Sequence, residues 1–235
     1  MLFRNNMKCR TAHAISAFAL LICFGLLLAG CAAHTSIQPV GKGKLNANFS
    51  IGGPIVAAFD THIPIPYATV GADYGLSEKI NLDGAFHLLS LPYGIIGMDI
   101  GATWFPHACD CTRIPTIGIE PRVLILASVK SNVGARIKAY PILSASSSWH
   151  WDFVSPYIGF DFVVPLSRAD YDEDAPDFII SPYIGARWKL SERISLLTEI
   201  KYNGANVPTD KLAVEYTNIS GYGAISPLIA IERSF

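Results

Sequence analysis

The side chains of this sequence that could carry chemistry include several histidines beyond residue 30. A hydrolase needs a nucleophile or a water molecule that an adjacent base activates, such as Ser with His or Asp with His. His62 follows Asp60, and we expect this pair to lie in a solvated loop. We expect His87 to join a polar interior, and His150 to be an aromatic anchor beside a flexible, serine-rich connection, 144–148. No Gly-x-Ser-x-Gly, His-Glu-x-x-His or phosphate-binding glycine loop occurs, so the sequence predicts no enzyme.

Two segments contain side-chain types that bind metals. Cys109 and Cys111 lie in His107-Ala-Cys-Asp-Cys111, and three interpretations stay open: a structural pair with a small, strained disulfide, a metal site with His107 and Asp110, and a redox pair. Two cysteines one residue apart, without a second pair, are a weak zinc pattern. The acidic segment 168–177 lacks the spacing of a calcium-binding loop. We therefore favour the structural pair and expect no metal and no cofactor.

The first thirty residues have the organisation of an export signal. A basic head precedes an apolar run, 14–28, that is too short to span a bilayer comfortably. The run ends in Leu28-Ala29-Gly30-Cys31, which resembles the bacterial lipobox. This resemblance implies that residues 1–30 are cleaved and that Cys31 carries a covalent lipid. Because Ala32 rather than Asp follows, it also implies that the lipoprotein-sorting machinery delivers the chain to the outer membrane. An ordinary secretory signal is the alternative.

The amino-acid composition limits the classes of protein to which this chain can belong. Of the 235 residues, 51% are apolar and 16% are charged, against roughly 25% charged in an average soluble domain. The formal net charge of −1 gives no basic excess for binding nucleic acid. The 19 glycines, 15 prolines and 11% aromatic residues favour many short strands and turns. We expect a lipidated N-terminus and linker over residues 31–42 and one domain over residues 43–235.

Apolar and polar residues alternate with a period of two in ten segments, which is typical of strands. The segments are 45–51, 68–74, 81–88, 96–104, 117–125, 133–140, 154–164, 180–190, 194–202 and 225–235. Leu76-Ser-Glu-Lys-Ile80 and Leu190-Ser-Glu-Arg-Ile194 have turn composition, and the strand count places both turns at one end, with the longer segments 168–177 and 204–218 at the other. The sequence therefore predicts an all-β fold, a closed antiparallel up-and-down transmembrane β-barrel of about ten strands, with eight as the alternative.

The polar faces of these segments carry acids and bases in nearly equal numbers. A narrow barrel must be filled by side chains, and enclosed charges must be paired. The candidate lumen charge network comprises Asp73, Asp99, Glu120, Arg122, Arg136, Lys138, Asp161, Arg187, Lys189, Glu199, Lys201 and Glu232. Within this set, we expect Arg187 and Lys189 to lie beside Asp161 and Glu199.

The chain ends in Ile229-x-Ile231-x-Arg233-Ser-Phe235. A terminal Phe that closes an alternating strand resembles the C-terminal signal by which outer-membrane barrels are recognised for insertion. With its alternating strands, the chain resembles the small bacterial outer-membrane β-barrel superfamily over residues 43–235. The resemblance implies outer-membrane lipid and the barrel-insertion machinery as partners. The lipobox departs from the pattern of this superfamily, because most such barrels use an ordinary signal peptide.

We therefore expect a lipid-anchored outer-membrane barrel with a structural or surface-interaction role in the cell envelope. The alternatives are a narrow pore for small solutes, a lipid-modifying hydrolase at the barrel rim, and a soluble β-rich periplasmic lipoprotein. The sequence names no partner for the surface loops.

Overall fold

The computed structural model describes residues 36–58, 61–64, 67–109, 112–128, 136–166, 176–209 and 215–235. The predicted signal peptide, Cys31, Asp60, Asp110, Cys111, residues 168–175 and the side chain of Arg136 lie outside the described residues. The strands are β1 (Leu45–Gly52), β2 (Ile55–Ala58), β3 (Thr61–Pro64), β4 (Tyr67–Ser77), β5 (Ile80–His87), β6 (Ile95–His107), β7 (Thr116–Ser128), β8 (Arg136–Ser148), β9 (Val154–Val163), β10 (Ile179–Lys189), β11 (Ile194–Pro208) and β12 (Tyr222–Ser234). A single 3₁₀ turn, Leu91–Tyr93, precedes β6.

Ten of these strands form a closed antiparallel barrel in the order β1-β12-β11-β10-β9-β8-β7-β6-β5-β4. The barrel closes where β1 pairs with β12, from Asn46 opposite Ser234 to Gly52 opposite Leu228. Every other neighbouring pair is adjacent in chain order apart from β1 with β4, between which the separate hairpin β2–β3 is inserted. The predicted ten-stranded up-and-down barrel is confirmed, whereas the hairpin was not predicted.

The period-two pattern places apolar side chains outside the barrel and polar side chains inside. On β6, Ile100 is 52% exposed and its neighbour Asp99 is 6% exposed. On β10, Ile184 is 61% exposed and Tyr183 is 2% exposed. Successive side chains of a strand point to opposite faces, so each strand contributes to both surfaces. No helix in the described part of the chain is long and apolar enough to cross a membrane.

The two ends of the barrel differ. The connections 78–79, 108–115, 149–153 and 190–193 lie at the same end as the start of β1 and the end of β12. The opposite end carries the longer connections, which include the hairpin β2–β3 and residues 209–221. This arrangement agrees with the predicted placement of the two turns and the two long segments. The last segment is shorter than predicted, because β11 continues to Pro208 instead of ending before Gly204.

The serine-rich segment 144–148 belongs to a strand, so its prediction as a flexible connection was wrong. It forms the last part of β8, and Ser144, Ser146 and Ser148 are buried inside the barrel. The period of two persists here, but small polar residues hide it. Their hydroxyls have partners in the lumen: Ser144 donates to Asp161, and Ser148 donates to the carbonyl of Ile37.

The repeated Ser-Pro-Tyr-Ile-Gly segments of β9 and β10 pack against each other in register. Tyr183 pairs with Gly159, and Gly185 pairs with Tyr157. A Cβ atom at Gly159 would lie 2.5 Å from the Tyr183 ring, and one at Gly185 would lie 2.4 Å from the Tyr157 ring. Each glycine therefore leaves the space that the tyrosine of the neighbouring strand occupies, which accounts for the spacing of the repeat.

Candidate functional site

The most concentrated chemistry of the barrel lies around Asp161, a buried carboxylate on β9. It accepts hydrogen bonds from Arg122 Nη2 at 2.8 Å, from Lys201 Nζ at 2.8 Å and from Ser144 Oγ at 2.6 Å. These groups come from β7, β11 and β8, and all of them are buried. One carboxylate thus joins two cations across the lumen, in the charge-assisted geometry that makes such hydrogen bonds strong.

Two further acids extend this cluster. Glu120 Oε1 lies 3.5 Å from Arg122 Nη1, and Glu199 Oε1 lies 3.8 Å from Lys201 Nζ. Tyr157 donates its hydroxyl to Glu199 Oε2 at 3.0 Å. Three acids therefore surround two bases, and we call Asp161, Arg122, Lys201, Glu120 and Glu199 the central cluster.

A second polar group lies toward the end that carries the longer connections. His87 Nε2 is 2.6 Å from Asp99 Oδ2, and both side chains are buried. The hydroxyl of Tyr67 lies 3.3 Å from the same nitrogen, and its ring packs edge-on against the imidazole. His87 thus lies in the polar interior.

The chain before β1 enters the barrel. Ser36 and Ile37 are 4% and 3% exposed, and Ile37 packs against Tyr157 and Tyr183. We call residues 36–44 the strap. The described part of the predicted linker, 36–42, is packed against the lumen, which offers its backbone hydrogen-bond partners: Asn81 Nδ2 donates to the carbonyl of Gln38, and Asn81 Oδ1 accepts from the amide of Val40.

The amide of Gln38 is the best-connected side chain of the strap. Its Nε2 donates to His150 Nδ1 at 2.7 Å and to Ser155 Oγ at 3.0 Å. Its Oε1 accepts from Arg187 Nη1 at 2.8 Å. The strap is thereby tied to the barrel ends of β8, β9 and β10.

The strap leaves the lumen through a close crossing with β4. Gly43 donates to the carbonyl of Gly75 at 2.8 Å, and Gly75 donates to the carbonyl of Lys44 at 3.0 Å. A Cβ atom at Gly75 would lie 1.9 Å from the carbonyl oxygen of Gly41. Gly41 and Gly43 have φ of 88° and 75°, a region that glycine tolerates and other residues rarely adopt. Only glycine at position 75 allows the two backbones to approach this closely.

The structure changes the predicted partners of the lumen charges. Arg187 lies beside Glu232, with Nε 2.5 Å from Oε2, and is far from Asp161. Register explains this difference: Asp161 is opposite Ser181, and Arg187 is six residues farther along β10, about 20 Å away. Lys189, the last residue of β10, is exposed, so its prediction as an enclosed charge was wrong.

The other predicted lumen residues are placed as follows. Asp73, Asp99 and Glu232 are buried, and Lys138 is half-buried near the start of β8. A polar space lined by residues that include Asp73, Asp99, Glu120 and Arg122 has a volume of about 10 Å³, no more than one water molecule needs. In this region, side chains fill the lumen.

The other candidate groups form no catalytic or metal centre in the described residues. His62, on β3, bonds Thr217 Oγ1 through Nδ1. His150, predicted as an aromatic anchor, instead lies between the strap and Thr116, whose Oγ1 is 3.0 Å from Nε2. Cys109 is disulfide-bonded. Among the described side chains, no group of three or more His, Cys, Asp or Glu is arranged to hold a metal ion.

Sequence reasoning missed two features of this site, the strap and the partners of Gln38. No hydrophobic period marks residues 36–44. The closely spaced Gly41 and Gly43 were the one available signal, because paired glycines indicate a backbone that turns sharply or passes close to another.

Replacement of Asp161 by Ala should destabilise the barrel by about 3–5 kcal/mol, because it leaves Arg122 and Lys201 buried without their shared counter-charge. Urea unfolding in detergent micelles, followed by tryptophan fluorescence, measures this loss. Lys189→Leu is the matched control, since that lysine is exposed, and should change stability by less than about 0.5 kcal/mol. Equal stability of Asp161→Ala and Lys189→Leu would contradict the importance of the central cluster.

No known protein family and no curated protein sequence matches this chain. Solved structures do show similarity at low identity. The NanC porin has a TM-score of 0.45 at 10% identity and covers 80% of this chain and 98% of its own. The outer membrane protease OmpT from Escherichia coli has a TM-score of 0.46 at 10% identity, with 86% and 99% covered. The translocator domain of autotransporter NalP from Neisseria meningitidis has a TM-score of 0.46 at 12% identity, with 98% of both chains covered. The fold assignment rests on this chain's own strand pairing.

Proposed function

We propose that this chain is a lipid-anchored barrel of the bacterial outer membrane, with a closed lumen and a structural or surface-interaction role in the envelope. The observation that carries the proposal is the distribution of polarity. Charged groups occupy the inside, whereas the outside is apolar on every strand. A soluble barrel of this kind would expose that surface to water.

The outer surface forms a complete apolar band. Each of the ten barrel strands presents at least one large apolar side chain that is more than a third exposed: Phe49, Val70, Leu82, Ile100, Ile117, Leu143, Phe160, Ile184, Ile200 and Ile231. Monomeric soluble proteins rarely expose apolar patches larger than a few hundred Å². Eight of the ten barrel strands have ten or more residues, and β1 and β5 have eight each. A tilted transmembrane strand needs about 9–11 residues.

An arginine on this band tests the membrane assignment by its dependence on depth. Ile184→Arg, in the middle of β10, should lower stability in lipid vesicles by roughly 2–4 kcal/mol. Leu190→Arg, directly after the end of the same strand, is the control and should cost roughly 0–1 kcal/mol. Both residues are well exposed, so in a water-soluble barrel both substitutions would be nearly neutral. Urea unfolding of the two variants in lipid vesicles distinguishes a membrane-spanning barrel from a water-soluble one. Equal losses of stability in Ile184→Arg and Leu190→Arg would argue against a membrane-spanning band.

Two features support a lumen that does not conduct. The central cluster crosses the interior between β7, β9 and β11, and the strap occupies the end where the chain begins. A polar cavity of about 280 Å³ lies between the strap and the wall, and residues 36–40 form part of its lining. Displacement of the strap would therefore open this end of the lumen, whereas the central cluster would still fill its interior.

Gly75→Val should displace the strap, because any Cβ at this position overlaps the backbone of Gly41. In planar bilayers, we expect the unmodified protein and this variant both to be silent, because the central cluster still fills the lumen. Trypsin should cleave the displaced strap at Lys42 and Lys44 faster in folded Gly75→Val than in the unmodified protein. Gly84→Ala is the control, since its Cβ would make only an ordinary 3.5 Å contact with the Asp99 carbonyl oxygen, and its strap should be cleaved no faster than that of the unmodified protein. Stable channels from the unmodified protein would favour the narrow pore instead.

The position of the strap supports the proposed anchor at Cys31. Ser36 lies at the barrel end that also holds the end of β12, and Cys31 precedes it by only five residues. A lipid on Cys31 would therefore reach the membrane surface at the end with short connections. The opposite end would carry the surface loops.

Cys31→Ser should abolish incorporation of labelled palmitate, because the lipid would be attached through the thiol. The barrel should still fractionate with outer membranes and show heat-modifiable migration on gels, since its strands hold it there. Cys109→Ser is the control for loss of a cysteine and should retain the label. Label in Cys31→Ser would disprove the anchor, and loss of membrane association would count against the barrel as an independent membrane unit.

An ordered surface at the loop end supports an interaction role. The hairpin β2–β3 is joined by residues 215–217: the amide of Ala57 donates to Glu215 at 2.8 Å, and the amide of Thr217 donates to Ile55 at 2.8 Å. Two connections that are distant in sequence thus form one structured patch. No described group favours the hydrolase.

A further inference from the structure

We propose that Arg193 and Arg233 bind the phosphate of an anionic phospholipid at the outer wall of the barrel. The site lies at the end that carries the connections 78–79, 108–115, 149–153 and 190–193, which we call the short-connection end. The proposal rests on the membrane barrel proposed above, to which it adds a class of lipid and a place where that lipid is held.

The two ends of the barrel carry opposite charge. At the short-connection end, the segments 36–44, 78–79, 108–115, 149–153, 189–193 and 233–235 contain seven lysines and arginines and four acidic side chains. At the opposite end, the segments 53–66, 88–94, 129–135, 164–178 and 209–221 contain three bases and eight acids. Bases beside a membrane attract anionic headgroups, each by about five-fold in affinity. The short-connection end is therefore the one that favours an anionic lipid.

Arg193 and Arg233 lie next to each other on adjoining strands. Arg233 is opposite Ile194, and the carbonyl of Arg193 accepts a 2.9 Å hydrogen bond from the amide that follows Arg233. Both side chains are exposed. Among the described residues, no carboxylate, including that of Phe235, forms an ion pair with either guanidinium. Glu192 lines the polar cavity inside the rim. Two adjacent positive charges thus remain for an outside anion, and guanidinium groups bind phosphate through paired N–H donors.

The side chain of Arg233 points outward at the edge of the apolar band. Along β12, Ile231 is 52% exposed, Glu232 is buried in the lumen, and Arg233 is exposed. Residues two apart on a strand share a face, so Arg233 has the outward direction of Ile231 and lies nearer the end of the barrel. Its guanidinium lies 5.0 Å from the centre of the Phe235 ring. The partner of this arginine therefore lies beside the outer wall, where a lipid would be, and not in the lumen.

Exposed aromatic side chains place this arginine at the level of the headgroups. Phe235 donates its amide to the carbonyl of Leu45 at 2.9 Å, and Leu45 is opposite Tyr74. These three form a row across the end of β12, β1 and β4, and each is more than a third exposed. Trp104, near the end of β6, is 50% exposed. Tyrosine and tryptophan concentrate where hydrocarbon meets the headgroups. Arg233 is two residues from Phe235 in this row, so a lipid phosphate is within its reach.

Native mass spectrometry of the full chain in detergent micelles tests the lipid preference. Phosphatidylglycerol and phosphatidylcholine with identical acyl chains are titrated separately, and the first lipid bound to each barrel is counted. We expect phosphatidylglycerol to bind at least about five-fold more tightly, since only its headgroup has a net negative charge. Arg193→Gln with Arg233→Gln should bring the two dissociation constants within about two-fold of each other. Both side chains are exposed, so this variant should fold, which heat-modifiable migration on gels verifies.

Lys44→Gln with Lys189→Gln is the matched control, because it removes the same charge from the same end but from the inner side of the rim. Lys44 lines the polar cavity beside the strap. Lys189 lies on the same face of β10 as the buried Tyr183, by the alternation of the strand. This control variant should keep the preference for phosphatidylglycerol.

Three results would overturn the site and leave the barrel intact. They are equal affinity of the unmodified protein for the two lipids, a preference that persists without the two arginines, and a preference that the control loses to the same extent. A chain without a heat-modifiable band would instead contradict the membrane barrel, and this proposal with it.

Discussion

The interaction on which the barrel most depends is the sharing of Asp161 by Arg122 and Lys201. A charge enclosed in a narrow lumen cannot remain solvated, so its free energy is acceptable only when opposite charges and hydrogen-bond donors surround it. The three residues come from β9, β7 and β11, which are not neighbours in the sheet. Their pairing therefore links strands across the interior and complements the backbone ladder that runs around the wall.

The strap depends on a different kind of contact. Gln38 uses both atoms of its amide to join His150, Ser155 and Arg187, and Gly75 lets the backbone cross at close range. Hydrogen bonds between such groups each contribute modestly, about 0.5–1.5 kcal/mol. The closure of this end is therefore the sum of several moderate contacts and one steric fit, and it does not depend on a single ion pair.

The fold could be predicted from the sequence because apolar and polar residues alternate along each barrel strand, as its side chains point alternately to the outer and the inner face. Phe49 beside Ser50, and Ile100 beside Asp99, show this directly. Pairing of the lumen charges could not be predicted in the same way. Partners such as Arg122 and Asp161 lie on strands separated by β8, and their meeting depends on strand tilt and register. The strap has no periodic pattern, so its position follows only from the shape of the lumen that receives it.

The central cluster and the strap are coupled through two tyrosines. Ile37 packs against Tyr157 and Tyr183. Tyr157 donates its hydroxyl to Glu199, and Lys201 Nζ lies 4.9 Å from the centre of the Tyr183 ring. Interactions that share partners in this way are not additive, so loss of the strap would also alter the surroundings of the central cluster. The strap therefore closes one end of the lumen and also packs the tyrosines that border the buried charges.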